Sequence, residues 1–339
     1  MLDVHEHRAA VGREGAAGDL AAHRAGQETP HLARAQSQTL ALKLDWSLYG
    51  THCVFYAGIA RGLYKAEGLD LSISEGNSSG NVVRLVAAGT DPLAFIDLGT
   101  MAIGASNGMP VRGVFGIHQK NPMVMISAAA SPVRSPKEME GRVVAMAPSE
   151  STAQMFPALL ARNGVEASKI SVLNPAIGAK NALLMQGRAD VVTGVTYFAL
   201  PLFARNNFAT SHFAYADFGV SALESGIVVN RVWAEQNEDR IRRFLAGTAK
   251  AFAAARQDPA GAIDAALTLR TDRARDRDLL LHQLRLSLEL TASPADPSAP
   301  FGVMAERDWQ AMITTMTETN MIRQTLPLEQ YFTNAYAPR

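Results

Sequence analysis

The sequence predicts an α/β chain that folds into two lobes, and three observations indicate this. From Leu42 onward, short apolar runs alternate with longer amphipathic segments, which is typical of strands and helices that build a mainly parallel sheet. The 339 residues exceed what one core usually spans, and 47% of them are hydrophobic, which is enough for two cores. A second set of alternating elements begins after Ser131-Pro132, as expected for a second lobe.

The first set of elements contains a helix over 52–66. Phe55, Ile59 and Leu63 recur there at four-residue spacing, and Gly68 stands where a helix C-cap residue is expected. This helix delivers the chain to the next strand. The other elements predicted for this set are strands at 42–44, 69–73 and 94–96 and helices at 80–88 and 100–107.

The second set mixes strands and helices in the same way, and the chain becomes mainly helical beyond residue 230. The strand at 226–230 marks this change. The elements predicted here are a helical turn at 135–141, strands at 142–146, 191–195 and 213–215, and helices at 151–163, 236–256, 260–269 and 277–290.

If the late helices pack on the first lobe, the chain crosses between the lobes twice, near 117–128 and near 220–227. A double crossover of this kind forms a hinge. The predicted organisation is an N-terminal extension at 1–40, a first lobe at 41–122 and 227–339, and a second lobe at 123–226.

Charge and cysteine content exclude several function classes. Basic and acidic residues number 32 each, with no block of five or more like charges, so neither nucleic acid nor an anionic membrane is an expected partner. Cys53 is the single cysteine, which excludes an internal disulfide and a cysteine-based zinc site. The sequence contains no run of about 18 apolar residues, so no membrane-spanning helix is predicted.

Residues 1–40 are rich in Ala, Arg, His, Glu and Gly, and they lack the apolar core of a secretory signal. We interpret them as a disordered or wrongly assigned start. Ala33-Arg34-Ala35 has the small-x-small form of a signal-peptidase site, so an exported mature start near Gln36 is our expectation.

The segment at 44–73 resembles the start of the NMT1/THI5-like and taurine/nitrate-type periplasmic binding proteins. Trp46, His52 and Gly62 match the family pattern there, as do Tyr64, Gly68 and Leu69. Later matches are Gly89 to Ala94, Gly108 to Val111, Lys137 to Gly141 and Gly187 to Asp190, so the similarity spans roughly 42–325.

This resemblance implies a type II periplasmic-binding-protein fold whose ligand lies between the two lobes. The family role is that of the solute-binding component of an ABC importer, whose partners are a small organic ligand and an inner-membrane ABC permease. The implied location is the periplasm, with no cofactor and no chemistry on the ligand. Physical reasoning favours the same site, because ligands of open α/β sheets bind beyond the carboxyl ends of strands.

Candidate ligand contacts in the first lobe lie in the loops that follow predicted strands. The loop from Trp46 to His52 offers Trp46 as a flat surface, with Tyr49 beside it and His52 matching the family's loop histidine. A core-capping role for Trp46 and a backbone-bonded role for His52 remain open. The other first-lobe candidates are Ser78, Ser79 and Gly80, then Asp97 and Thr100, then His118, for which N-capping or a hinge loop are the alternatives.

Candidates from the second lobe and the return crossover complete the predicted site. Ser151 and Thr152 precede a helix, and Tyr197 follows the strand at 191–195, where it would stack on the ligand or hydrogen-bond to it. Glu224 would pair with a cationic or amine group, although a solvated hinge glutamate is the alternative. The aromatic side chains favour a planar or heteroaromatic ligand, such as a thiamine-pyrimidine-like compound, while a sulfonate or an aromatic carboxylate stays possible.

Two other functions are open to this fold. The eukaryotic relatives that make the thiamine pyrimidine from pyridoxal phosphate use a histidine and a cysteine-rich motif. Here Thr100 stands at that histidine's position, and residues 221–227 contain no cysteine, which argues against the synthase. A ligand sensor of the same fold is the second alternative. The sequence has no motif of a hydrolase elbow or a phosphate-binding loop, and its histidines show metal-ligand spacing only at His5 and His7 beside Glu6, which we interpret as part of a tail.

Overall fold

Ten strands form two five-stranded sheets in the computed structural model, which describes residues 38–176 and 178–338. Alternation of buried and exposed side chains along Gln38–Leu44 is typical of a strand with one face on the core. The strands are β1 Gln38–Leu44, β2 Leu69–Ser74, β3 Leu93–Asp97, β4 Val111–Gly116, β5 Met123–Ala128, β6 Val143–Ala145, β7 Ser171–Leu173, β8 Val191–Val195, β9 Thr210–Ala214 and β10 Ser225–Asn230.

The two sheets share one design. The first has the order β2-β1-β3-β10-β4 and the second β7-β6-β8-β5-β9. In the first sheet, β10 runs antiparallel to both of its neighbours. In the second sheet, β5 runs antiparallel to both of its neighbours. The remaining strands of each sheet run in one direction, so the prediction of mainly parallel sheets holds except for the strand that follows each crossover.

Fourteen helices cover the sheets in the described part of the chain. The long α10 carries buried apolar side chains on one face and charges on the other, as a surface helix does. The helices are α1 His52–Ala60, α2 Leu63–Ala66, α3 Ser79–Ala87, α4 Leu98–Ser106, α5 Ser151–Gln154, α6 Phe156–Arg162, α7 Lys180–Met185, α8 Thr196–Arg205, α9 Arg231–Glu235, α10 Glu238–Gln257, α11 Pro259–Leu269, α12 Arg277–Leu288, α13 Glu306–Glu318 and α14 Leu328–Tyr331.

Two predicted helices are each divided. The helix expected over 52–66 is interrupted because Gly62 adopts a left-handed φ of 69°, which glycine tolerates and which ends α1 before α2 begins. The helix expected over 151–163 breaks at Met155, just before Pro157, so α5 is a single turn. The predicted N-terminal extension reached residue 40, whereas β1 begins at Gln38 because that residue already pairs with Leu69.

The two crossovers lie side by side and bond to each other. The chain leaves the first sheet after β4 through 117–122 and returns to β10 through 215–224. The Ile117 and His118 amides donate to the Ser225 carbonyl at 2.9 and 2.8 Å, and the Glu224 amide donates to the His118 carbonyl at 3.1 Å. The paired crossovers form the hinge expected from the sequence. The predicted division of the lobes at residues 122 and 226 remains a prediction.

Candidate ligand-binding site

A cavity of about 250 Å³ lies between the two sheets, next to the hinge. Segments that follow β1, β2, β6 and β8 all contribute to its wall, as expected for a site at the carboxyl ends of strands. The lining residues are Asp45, Trp46, Tyr49, Ser78, Ser79, Glu150, Ser151, Thr152, Gly178, Lys180, Asn181, Gly194, Val195, Tyr197, Phe198, Ala199, Leu202 and Glu224.

The loop after β1 supplies a carboxylate and two aromatic rings. Asp45 is the first residue beyond the strand, and its Oδ1 lies 2.8 Å from His52 Nε2. The Tyr49 ring packs against the His52 ring with centroids 3.8 Å apart, and its hydroxyl reaches the Asp45 carboxylate at 3.5 Å. Trp46 is half-buried, and it both packs against the core and lines the cavity. His52 itself is fully buried behind this layer and orients Asp45.

The first turn of α3 brings two serines to the cavity. Ser78 caps the helix by accepting from the Asn81 amide at 3.2 Å. Ser79 Oγ accepts from the Asp97 amide at 3.1 Å, which ties this turn to the end of β3. Both hydroxyls therefore already have backbone partners, in line with the N-capping interpretation, while they also form part of the wall.

Gly80 joins the two sides of the cleft. Its amide donates to the Ser149 carbonyl at 3.2 Å, and Ser149 belongs to the segment between β6 and α5 on the second side. A β-carbon at this position would lie 2.8 Å from that carbonyl and 2.7 Å from Gln154 Nε2. Absence of a side chain thus permits the close approach, and Gly80 acts at the rim of the cavity without lining it.

The second side contributes a buried ion pair. Glu150 precedes α5 and Lys180 begins α7, and their side chains form a salt bridge at 12% and 11% exposure. Lys180 Nζ also donates to Thr193 Oγ1 at 3.3 Å. Burial lowers the pKa of the Lys180 ammonium, and the Glu150 carboxylate opposes that effect.

Two hydrogen-bonding atoms beside this ion pair are buried without a partner in the described part of the chain. They are Thr152 Oγ1 and Asn181 Oδ1, and both residues line the cavity. Buried polar atoms are rarely left unpaired in a folded protein, so such atoms in a cavity wall are suited to a bound molecule.

The start of α8 carries an aromatic pair that faces Tyr49. The Tyr197 ring centroid lies 5.8 Å from that of Tyr49, and the Phe198 centroid lies 5.7 Å from it. Tyr197 donates its hydroxyl hydrogen to Glu224 Oε1 at 2.8 Å, which connects the second sheet to the hinge. Burial raises the pKa of Tyr197 well above its usual range, so the phenol stays a donor.

His118 is the central side chain of the hinge. Its Nδ1 lies 3.0 Å from Glu224 Oε2 and 2.8 Å from Ser225 Oγ, and its ring packs 4.9 Å from that of Tyr197. His118 is fully buried and does not line the cavity. In this structure it is linked to the cavity wall through Glu224, and its burial contradicts the alternative of a solvated hinge loop.

Asp97 and Thr100 lie one layer below the cavity. Asp97 Oδ1 caps α4 by accepting from the Thr100 amide, and Asp97 Oδ2 and Thr100 Oγ1 are buried with no partner among the described residues. Burial, with the nearby Glu224 charge, raises the pKa of Asp97 from 3.8 to about 8. This carboxyl is thus an internal helix cap rather than part of the wall.

A family model described as NMT1/THI5 like matches residues 50–262 of this chain. The chain belongs to the NMT1/THI5-like family. A riboflavin-binding protein, RibY, from Chloroflexus aurantiacus is 22% identical over 290 residues, which cover 84% of this chain and 82% of the relative. This membership confirms the resemblance carried by the segment at 44–73.

Solved structures show the same fold as this NMT1/THI5-like chain. The alkanesulfonate-binding protein SsuA from Xanthomonas axonopodis pv. citri, bound to MOPS, superposes with a TM-score of 0.68 at 12% identity over 88% of this chain and 100% of that one. The periplasmic aliphatic sulphonate binding protein SsuA from Escherichia coli gives 0.66 at 15% identity over 86% and 91%. The predicted periplasmic-binding-protein fold, with two α/β lobes, is confirmed.

The thirteen candidate contacts fall into two groups in this NMT1/THI5-like structure. Eight line the cavity: Trp46, Tyr49, Ser78, Ser79, Ser151, Thr152, Tyr197 and Glu224. Five lie outside the wall: His52, Gly80, Asp97, Thr100 and His118. Contact of any of them with a ligand remains a prediction.

Sequence reasoning missed several lining residues, among them Asp45, Glu150, Lys180 and Asn181. Asp45 carried a usable signal, since it is the first polar residue after a strand. Lys180 carried none, because its partner Glu150 lies 30 residues away in sequence.

Two expectations concern metals and membranes. Residues 38–176 and 178–338 hold no cluster of three or more metal-ligating side chains. Within the same ranges, no helix combines the length and apolarity that crossing a bilayer requires. The Ala33-Arg34-Ala35 tripeptide and the extension that contains it lie outside the described residues.

Proposed function

We propose that this chain is the solute-binding component of an ABC importer and that it captures a small organic molecule without changing it. One observation carries the proposal: a single cavity takes its wall from both sheets and from the hinge. A ligand held there contacts Asp45 and Trp46 on one side, Thr152 and Tyr197 on the other, and Glu224 between them. Such a ligand binds the closed arrangement better than an open one and so shifts the equilibrium towards closure.

The shape of the ligand follows from the aromatic wall. Trp46, Tyr49, Tyr197 and Phe198 all face the cavity. Aromatic side chains contribute most when they pack against another flat ring at offset or edge-on geometry. A planar or heteroaromatic molecule is therefore the proposed ligand, and a thiamine-pyrimidine-like compound is a representative. Binding of riboflavin by the relative from Chloroflexus, as its name states, supports this class.

A binding role without chemistry is consistent with the reactive groups of the described chain. Cys53 is fully buried, it does not line the cavity, and burial raises the pKa of its thiol to about 12. Lys180 is paired with Glu150, and both oxygens of Glu224 already accept hydrogen bonds. Thr100, at the position of the synthase histidine, lies below the cavity wall. These features support a carrier over a pyrimidine synthase.

The proposed partners and location follow from the importer role. The closed protein would present its surface to an inner-membrane ABC permease, and the location would be the periplasm. The aliphatic sulphonate binding protein SsuA from Escherichia coli, which is named as periplasmic, shares the fold and supports this placement.

A ligand panel tests the proposal. Thermal unfolding and isothermal calorimetry would compare riboflavin, a thiamine pyrimidine, an aromatic carboxylate, an alkanesulfonate and nitrate. We expect a planar heteroaromatic compound to bind one to one, and at a hundredfold excess over Kd to stabilise the protein by about 2.7 kcal/mol, which raises Tm by a few degrees. A panel in which no compound raises Tm would contradict the binding role, and consumption of pyridoxal phosphate would contradict the absence of chemistry.

A further inference from the structure

The ionisable groups around the cavity are mostly acidic. Among the described residues of the wall, Asp45, Glu150 and Glu224 are acidic and Lys180 is the one basic side chain. The sulfonate-binding relatives share the fold at only 12–15% identity, so their ligand does not carry over to this wall. The charged residues of this wall determine whether the site accepts a cationic or an anionic ligand.

Lys180 is not free to neutralise an anion. Its ammonium is committed to the Glu150 carboxylate and to Thr193 Oγ1, and both members of the ion pair are nearly buried. An anionic ligand that drew Lys180 away would leave the Glu150 carboxylate buried without its partner, which opposes binding of an anion. The pair thus cancels its own charge and leaves Asp45 and Glu224 to set the local potential.

Asp45 differs from Glu224 because one of its carboxylate oxygens has no close hydrogen-bond donor in the described part of the chain. Both Glu224 oxygens accept short hydrogen bonds, from Tyr197 at 2.8 Å and from His118 at 3.0 Å. Asp45 Oδ1 pairs with His52 at 2.8 Å, but Oδ2 has only the Tyr49 hydroxyl at 3.5 Å. The Asp45 side chain is 19% exposed and faces the cavity. Its second oxygen is therefore open to a donor on the ligand.

The His52 ring keeps the Asp45 charge in place. Its Nδ1 is buried with no partner in the described ranges, so a proton there would be left unsatisfied. The favoured tautomer carries its proton on Nε2 and donates it to Asp45. His52 is fully buried and lies outside the cavity wall.

The opposite wall of the cavity also contains an acceptor without a partner in the described ranges. Asn181 Oδ1 is a buried acceptor with no partner among the described residues, and Thr152 Oγ1, in another segment of the wall, is likewise unpaired. A ligand that donates N–H hydrogens from two edges would pair with Asp45 on one side and, once the Asn181 side chain rotates towards the cavity, with its buried Oδ1 on the other. A carboxylate, sulfonate or nitrate offers no N–H donor to either acceptor.

We propose that Asp45 determines ligand specificity by accepting an N–H donor from a cationic or neutral nitrogen-containing planar ligand and by excluding anions. This inference rests on the proposed binding role and narrows it. The aromatic carboxylates and sulfonates that the sequence left possible become the disfavoured class. The selecting element is the open oxygen of Asp45, held by His52 and flanked by the Tyr49 ring.

A pair of single-ring probes of opposite charge tests the inference. Calorimetric titration would compare benzamidinium with benzenesulfonate on the full-length protein. We expect benzamidinium to bind at least about tenfold more tightly, because a carboxylate in a partly desolvated cleft attracts the cation and repels the anion. In Asp45→Asn, which keeps an acceptor for His52, the preference should fall below about threefold.

Two further variants complete the test. Asp45→Glu retains the charge and should keep most of the preference, and Asp70→Asn removes an exposed carboxylate outside the cavity and should change nothing. Tighter binding of benzenesulfonate, an unchanged preference in Asp45→Asn, or binding of neither probe would overturn the inference. The binding role itself fails only if every compound of the ligand panel fails, so the two outcomes are distinguishable.

Discussion

Replacement of Lys180 by methionine should lower the free energy of unfolding by about 3 kcal/mol, because it leaves the Glu150 carboxylate buried without its partner. The two side chains are only 11% and 12% exposed, and Lys180 also serves Thr193 Oγ1. Urea unfolding followed by circular dichroism measures the change. The loss should appear as a lower midpoint with an unchanged slope, since the folded surface stays the same.

Two comparisons separate the buried ion pair from a general effect of losing a lysine. Lys169→Met removes an exposed lysine whose partners Glu166 and Glu140 lie 3.0 and 3.9 Å away, so the midpoint should fall far less than in Lys180→Met. The double variant Glu150→Gln and Lys180→Met removes both charges and should recover most of the stability. An equal loss in Lys169→Met and Lys180→Met would contradict the account of this pair.

Substitution of Asp97 by asparagine should remove a large pH dependence of stability. The folded-state pKa of Asp97 is raised from 3.8 to about 8. The folded protein therefore favours the protonated carboxyl. The contribution of Asp97 to the free energy of unfolding is fully present below about pH 4, and it is lost as the pH rises towards 8. Asparagine is uncharged at every pH, and its side-chain oxygen can still cap α4. We expect the free energy of unfolding of Asp97→Asn to equal that of the wild-type protein at about pH 4. At pH 8 it should be larger than that of the wild type by about 4 kcal/mol.

Chemical unfolding at a series of pH values measures this difference. Asp278→Asn is the matched control, because Asp278 is 99% exposed and should give a difference that does not vary with pH. A stability gap between Asp97→Asn and wild type that stays flat from pH 4 to pH 8 would contradict the buried, protonated state of Asp97.

Local patterns were enough to predict much of the fold. The strand at 191–195 and the long helix α10 follow directly from apolar runs and helical spacing. The alternation of strand, polar loop and helix also placed Trp46, Tyr49, Ser78 and Thr152 at the cavity wall. These residues share one property: their position depends on the strand immediately before them.

Features that depend on distant parts of the chain were not accessible. The pairing of Lys180 with Glu150, and of His118 with Glu224, joins residues 30 and 106 positions apart. The antiparallel direction of β5 and β10 was not predicted, although the crossovers that precede them were. His52 and Asp97 were predicted to lie at the cleft, but both are buried, and their burial depends on packing against distant segments. Their roles as supporting residues follow from that burial.

Calorimetric titration of the tightest compound of the ligand panel into three proteins tests most directly whether the ligand lies in the cavity. Trp46 is half-buried in the wall, and Trp233 is half-buried in α9, outside it. We predict one-to-one binding by the wild-type protein, at least about tenfold weaker binding by Trp46→Ala, and unchanged binding by Trp233→Ala, since a tenfold loss corresponds to about 1.4 kcal/mol of ring contact. Equal affinity of Trp46→Ala and wild type would contradict a ligand site between the two sheets.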